Sequence, residues 1–328
     1  MAAGRGTGAR HGGRKRGTIL GARSGTVKKA PAVARGGRGR HAIVRRRKFC
    51  FFLRSVTDFA YRLEAVTLSD PGGVRSLNED AVVADAALGV AMVADGMGGH
   101  HAGEVASRMA VEGLLSSLST RIRQYRAGAR RPTPAQFVEQ AVTEANLAIH
   151  RAACGNEQCA GMGTTLALAL FLEDRAVLAH AGDSRIYRLR NGHLQLLTRD
   201  DSMLSDQIAL GLIDASEAGD SHNRHLVTRA LGAAKRIAVN LCEEPLKVGD
   251  VFLLCSDGLS GLVEAADLEL VVDSLKTNLP LAAAHLVDLA NDLGGYDNIS
   301  VVLVRVHPAG RDGAEGNWLR RLFAWLRP

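Results

Sequence analysis

Hydrophobic positions fall into two regimes along this chain. Between about residues 60 and 307, short apolar runs alternate with amphipathic stretches, whereas residues 1–48 show no apolar periodicity. Fully apolar or alternating runs predict strands at Ala81–Asp85, Gly89–Ala94, Thr165–Leu172, Ala176–Ala181, Arg185–Arg190, His193–Thr198, Val251–Cys255 and Ile299–Val306. Asn191-Gly192 is a tight-hairpin signal, because both residue types tolerate the positive φ such a turn needs. Helical spacing appears at Val111, Leu114, Leu115 and Leu118, and again at Phe137, Val138, Ala141, Val142, Ala145 and Ile149. The second run follows Thr133 as a cap and Pro134 in the first turn. A late helix carries Leu286, Leu289, Ala290 and Leu293 and stops at Gly294-Gly295. Strands mostly succeed one another directly and helices come in pairs. That order predicts an α+β fold, an antiparallel β-sandwich flanked by paired α-helices, rather than a doubly wound parallel sheet. Residues 202–232 are a polar excursion with a short helix at Met203–Leu212 and the segment His222-Asn223-Arg224-His225, read as lying near a functional site or as an ordinary surface insertion.

Charge divides the chain in the same place. Of 41 Lys and Arg, sixteen lie in residues 1–54, which hold no Asp or Glu, leaving 25 against 34 acidic residues in the remainder. The overall +7 therefore hides a cationic tail and an acidic body. The Gly/Arg/Ala-rich tail cannot bury enough surface to offset its ordering entropy, so it is expected to be disordered. It is a solvated tail or an anchor for nucleic acid or anionic lipid; no specific nucleic-acid motif accompanies it. The expected division is a basic tail over 1–58, a catalytic-size domain over 59–308, and a linker with an amphipathic helix over 309–328. In that last segment Trp318, Leu319, Leu322, Phe323, Trp325 and Leu326 interleave with Arg320, Arg321 and Arg327, a pattern suited to a membrane interface or to docking on a protein surface. No apolar run reaches the roughly 18 residues that cross a bilayer. The stretch Phe49–Leu53 behind Arg45-Arg46-Arg47-Lys48 is too short for an export signal and is broken by Arg54. Five cysteines form no Cys-x-x-Cys pair and no zinc spacing with histidine, which fits reduced thiols in the cytoplasm. Cytoplasmic placement is expected, peripheral at the membrane if the basic ends touch anionic lipid.

Four aspartates stand at the ends of apolar strands beside glycine or asparagine. They are Asp95 in Asp95-Gly96-Met97-Gly98-Gly99-His100, Asp183 in Gly182-Asp183-Ser184-Arg185, Asp257 in Ser256-Asp257-Gly258-Leu259, and Asp297 in Tyr296-Asp297-Asn298. One such residue is an ordinary turn former. Four on the rim of one core suggest a carboxylate site for hard divalent cations, which take oxygen ligands. Adjacent glycines let a backbone carbonyl approach without a side-chain clash.

Six motifs then occur in a specific order: Arg75-Ser76-Leu77-Asn78-Glu79-Asp80, DGMGGH at 95–100, GMGTT at 161–165, GDSR at 182–185, SDGL at 256–259 and DNIS at 297–300. In this order and spacing the chain resembles the 2C-type (PPM) metal-dependent protein phosphatases, bacterial members above all, over about residues 65–306. The resemblance implies hydrolysis of phosphoserine and phosphothreonine by a metal-activated water, with two Mn²⁺ or Mg²⁺ ions and a third, weaker one. It implies that Asp95 bridges the two ions and that the Gly96 carbonyl completes one sphere. Asp257 and Asp297 would bind the other ion, Asp183 would hold the third, and Glu79 and Asp80 would orient bound waters. Arg75 would clamp the substrate phosphate with its planar fork. Phosphoproteins and an opposing serine/threonine kinase are the implied partners. One departure stands out: the histidine that eukaryotic members carry after Asp-Gly is Met97 here, so the general acid is not assigned, and the role is not transferred to His100 or His101. Two competing readings remain at this stage, a non-catalytic phosphopeptide-binding member of the same fold and a phosphatase of small metabolites.

Overall fold

Residues 48–53, 61–99, 101–128, 131–214 and 226–309 are described by the structure, a computed structural model. Twelve strands appear in chain order among them: β1 (Lys48–Leu53), β2 (Tyr61–Asp70), β3 (Asp80–Asp85), β4 (Val90–Met97), β5 (Gly163–Thr164), β6 (Leu166–Phe171), β7 (Arg175–Ala181), β8 (Arg185–Arg190), β9 (His193–Leu196), β10 (Asn240–Pro245), β11 (Val251–Cys255) and β12 (Ile299–Pro308). The helices are α1 (Ala102–Arg126), α2 (Pro134–Gly155), α3 (Met203–Ala209), α4 (Asp257–Ser260), α5 (Ala265–Leu275) and α6 (Leu279–Asp292).

One sheet has the order β1-β2-β12-β11-β8-β9 and the other β10-β7-β6-β4-β3, with β5 attached to β4. Every named pairing is antiparallel. Side chains alternate faces along a strand, and β11 uses both. Phe252 and Leu254 point into the layer between the sheets, while Val251, Leu253 and Cys255 pack on the other side with α5 and α6. Phe171 of β6 meets Phe252 edge-on across the inter-sheet layer, ring centroids 5.1 Å apart. The outer face of the second sheet is covered by α1 and α2 through Leu114, Leu118, Ile122, Phe137 and Ile149. The expected sandwich flanked by helix pairs is therefore what forms, and its inter-sheet layer of fully buried side chains fixes where the strand ends emerge.

Local signals act as their chemistry requires. Thr133 and Gln136 close a capping box at the start of α2, with Pro134 at its first turn. Asn191 (φ 55°) and Gly192 (φ 80°) both take left-handed conformations between β8 and β9. Four strands have no counterpart among the expected ones, the two-residue β5 among them. β2, with the sequence YRLEAVTLSD, lacks clean alternation because it is buried from both sides for most of its length. β10 (NLCEEP) is a polar edge strand, held by its pairing with β7. β1 lies inside what the sequence reading assigned to the basic tail. Its apolar stretch adds to the edge of β2 in register, Lys48 opposite Ser69 through Leu53 opposite Glu64. Residues 1–47, the segment His222–His225 and residues 310–328 lie outside the described residues, and with them the expected tail and C-terminal helix. Among the described residues no helix is long and apolar enough to cross a membrane.

Candidate metal centre

β3 and β4 bring the first two carboxylates together. Asp80 pairs directly with Asp95 across the antiparallel ladder, and opposed residues of such a pair project to the same face with Cβ atoms about 4.5–5.5 Å apart. From the other sheet, Asp257 opens α4 immediately after β11, and Asp297 stands two residues before β12, which is hydrogen-bonded to β11. Asp183 sits in the turn between β7 and β8 and is 8% exposed. The five converge electrostatically. Burial raises the Asp95 carboxyl well above its ordinary range, and the charges of Asp80, Asp257, Asp183 and Asp297 push it further, in that order. Asp80 is pushed up to about 7, by burial and then by Asp257 and Asp297, against hydrogen bonds from Ser300 and Ser256 that favour its charged form. Asp183 also rises to about 7, through burial, Asp257 and Asp200. Glu79, beside them, is raised by burial, with Arg75 pulling the other way. A cluster in which Asp80, Asp95, Asp183 and Glu79 all hold their protons above the ordinary carboxylate range is a site built for positive charge.

The backbone of Asp95 is clamped by the GMGTT motif. Its N–H donates to Thr165 Oγ1 at 2.9 Å, and its carbonyl accepts from Thr164 Oγ1 and from the Thr165 N–H, both at 2.9 Å. The excursion after residue 202 returns to the same place, since Leu231 and Thr164 exchange backbone hydrogen bonds of 2.8 and 3.0 Å. Ser256 Oγ donates to Asp80 Oδ2 at 2.9 Å. Asn298 ties the last motif to the first: its Oδ1 accepts from the Glu79 N–H, and its Nδ2 donates to the carbonyls of Leu77 and Pro71. Arg75 Nη2 lies 2.8 Å from Asp297 Oδ2 with both side chains partly open to solvent, so an anion arriving there meets the guanidinium first. All eight residues singled out from the sequence thus come together. Thr164, Thr165, Ser256 and Asn298 stood inside the quoted motifs without a role. Met97 is half-buried and His101 lies near Glu104 at 3.9 Å, while His100 is outside the described residues.

Two observations test the fit to cations. Asp80 Oδ1 is buried with no hydrogen-bond partner among the described residues. Gly103, in the first turn of α1, keeps a space clear: a Cβ there would lie 2.7 Å from the Gly96 carbonyl oxygen and 2.5 Å from Glu79 Oε1. Oxygen atoms only, from carboxylates and a carbonyl, suit Mg²⁺ or Mn²⁺. Among the described residues no group of three or more His, Cys, Asp or Glu side chains is so disposed that it could hold a metal ion by itself. Hard cations of this kind take one or two carboxylates each and keep several waters, so an open oxygen-lined site fits them.

Comparison with known proteins covers the same part of the chain. The family model for protein phosphatase 2C matches residues 74–296. The serine/threonine phosphatase stp of Listeria innocua is 36% identical over 227 residues, covering 69% of this chain and 88% of that protein. The serine/threonine protein phosphatase PstP of Mycobacterium tuberculosis is 38% identical over 239 residues, 73% of this chain and 44% of that protein. Among solved structures, the catalytic domain of PstP in complex with two manganese ions aligns with a TM-score of 0.66 at 34% identity, covering 75% of this chain and 99% of that one. Stp1 from Staphylococcus aureus aligns with a TM-score of 0.67 at 28% identity, over 77% and 99% of the two chains.

Proposed function

Since the chain belongs to the protein phosphatase 2C family and is a metal-dependent serine/threonine phosphatase, we propose that it hydrolyses phosphoserine and phosphothreonine in proteins at a binuclear Mn²⁺ or Mg²⁺ centre, opposing a serine/threonine kinase. The observation that carries this reading is the convergence of Asp80, Asp95, Asp183, Asp257 and Asp297, each of the first three with its carboxyl raised by burial and then by neighbouring carboxylates.

Asp95 would contribute to holding both ions, the Gly96 carbonyl would serve one of them, and Asp257 and Asp297 would serve the other. Asp183 would hold a third, weaker ion. Two such cations supply, when bound, Lewis acidity toward phosphoryl oxygens and a nucleophilic water near neutral pH. Glu79 and Asp80 accept hydrogen bonds from waters in the site and so orient them. Arg75 exchanges its contact with Asp297 for the incoming phosphate, and its charge-assisted hydrogen bonds hold the equatorial oxygens as negative charge shifts among them. Met97 has no proton to give, so the leaving serine or threonine oxygen is protonated from elsewhere than this position. Cys255 takes no part: it is fully buried in β11, and burial pushes its thiol up to about 12.

The test is phosphate release from a phosphothreonine peptide with Mn²⁺ and with chelator, for the intact chain and for Asp95→Asn. Release that requires metal and falls by about 10²-fold or more in the variant is expected. No release from folded, metal-loaded wild type would sink the reading and favour a phosphopeptide-binding role, and release from small phosphate esters alone would move the substrate class to metabolites.

A further inference from the structure

Behind the turn that carries Asp183 lies a second acidic residue that the proposed reaction does not use. Asp201 is 6% exposed, and three donors converge on its carboxylate. The Gly182 N–H reaches Oδ2 at 3.2 Å, Arg229 Nη1 reaches Oδ1 at 2.9 Å, and Asn240 Nδ2 lies 3.1 and 3.2 Å from the two oxygens. Its own backbone completes the tie, since the Asp201 N–H donates to the Gly182 carbonyl at 2.7 Å and its carbonyl accepts from Thr228 at 2.8 Å. Both peptide groups of Gly182 are therefore held by one residue.

Gly182 has φ of 104°, and a Cβ there would press on Thr165 Cγ2 at 2.7 Å, so the turn has no room to relax toward the sheet. On its other flank, Ser184 is fully buried and its hydroxyl lies 2.7 Å from Thr165 Oγ1, the group that also receives the Asp95 N–H. Asp183 thus hangs between two anchors, one fixed to Asp95 through Thr165 and the other fixed by Asp201. The second anchor also joins β10 through Asn240 and the return leg of the 202–232 excursion through Arg229 and Thr228. A cavity of about 240 Å³ opens on this junction, lined by His180, Asp201, Arg229 and Asn240 among others.

We propose that Asp201 is a positioning residue that acts through Asp183: it fixes the Gly182-Asp183 turn and so sets the affinity of the weakest cation site, linking that site to the excursion through Arg229. This rests on the role given to Asp183 above. A buried carboxylate with three converging donors is costly to alter, because each donor left without an acceptor loses its compensation. Asn at this position keeps the shape but offers one acceptor oxygen in place of two.

Asp201→Asn, Asp183→Asn and the double variant provide the test, each first checked for folding by circular dichroism. Calorimetric titration of the metal-free proteins with Mn²⁺ should show the weakest site weakened about tenfold in Asp201→Asn and lost in Asp183→Asn. Phosphopeptide kcat at sub-saturating Mn²⁺ should fall about tenfold in Asp201→Asn, with KM for the peptide within about twofold. In the Asp183→Asn background, adding Asp201→Asn should change kcat by less than about twofold, because both act on one element. Losses that multiply in the double variant, or a Mn²⁺ isotherm unchanged in Asp201→Asn, would overturn the proposal. Should Asp201→Asn fail to fold, Arg229→Met removes the exposed partner and should give the same pattern more weakly. An isotherm and kcat unaltered by Arg229→Met would then count against it. The titrations compare variants without needing turnover, so they remain decisive even if the intact chain releases no phosphate.

Discussion

Asp95 has almost no freedom at its backbone, because Thr164 and Thr165 take both its N–H and its carbonyl. Thr165 is the sharper of the two, since its buried hydroxyl also meets Ser184 and so couples Asp95 to the Asp183 turn. Thr165→Val keeps the shape and deletes the hydroxyl, leaving the Asp95 N–H without its acceptor. That costs about 1–3 kcal/mol of stability and should lower Mn²⁺-dependent kcat about tenfold or more, while Thr165→Ser should retain most of both. Thermal melting and phosphopeptide turnover of the two variants check this; a Thr165→Val protein that melts and turns over like wild type would contradict it. The aspartates could be read from the chain because each ends an apolar run beside glycine or asparagine. The residues that aim them could not. Thr165 lies 70 positions from Asp95, and Asn298 lies 219 from Glu79, so nothing local in the sequence marks either bond.

At the scale of elements, what was legible was what local chemistry decides. The Thr133 cap with Pro134, the Asn191-Gly192 turn and the apolar strand β11 follow from propensities of adjacent residues. Sheet order does not. β12 is the last strand of the domain, yet it lies between β2 and β11, and this placement brings Asp297 beside the segment 71–79 and Asp257. Burial on both faces hid β2, and the polar β10 is held by its edge pairing with β7 and by the polar contacts of Asn240, Glu243 and Glu244. The short β5 is defined by its pairing with Gly96 and Met97 and by the bridge from Thr164 to Leu231, contacts distant in sequence, although it carries Thr164 to Asp95. The motifs could be found in order along the chain; that β3 and β4 would set Asp80 opposite Asp95 is a fact of register, not of composition.

For the whole molecule, the acidic cluster is a source of instability that cations relieve. In an unfolded chain an aspartate titrates near pH 4, whereas in the folded metal-free protein Asp80 and Asp183 hold their protons up to about 7 and Asp95 is raised well above its ordinary range. Between those values the folded state retains protons that the unfolded state has lost, so the contribution of these groups to stability declines as pH rises through that window. In chelator the melting temperature should therefore be higher near pH 5.5 than near pH 8. The increase produced by saturating Mn²⁺ should be larger at pH 8, where the ion no longer competes with protons. Flat or reversed behaviour in both series would mean the carboxylates do not interact as described. The most direct measurement of the central claim is anomalous diffraction at the manganese edge from crystals grown with Mn²⁺. The account predicts two peaks about 3.5–4 Å apart, both against Asp95, with Asp257 and Asp297 on one and the Gly96 carbonyl on the other. Peaks elsewhere, or none at these carboxylates in a fully loaded crystal, would contradict it.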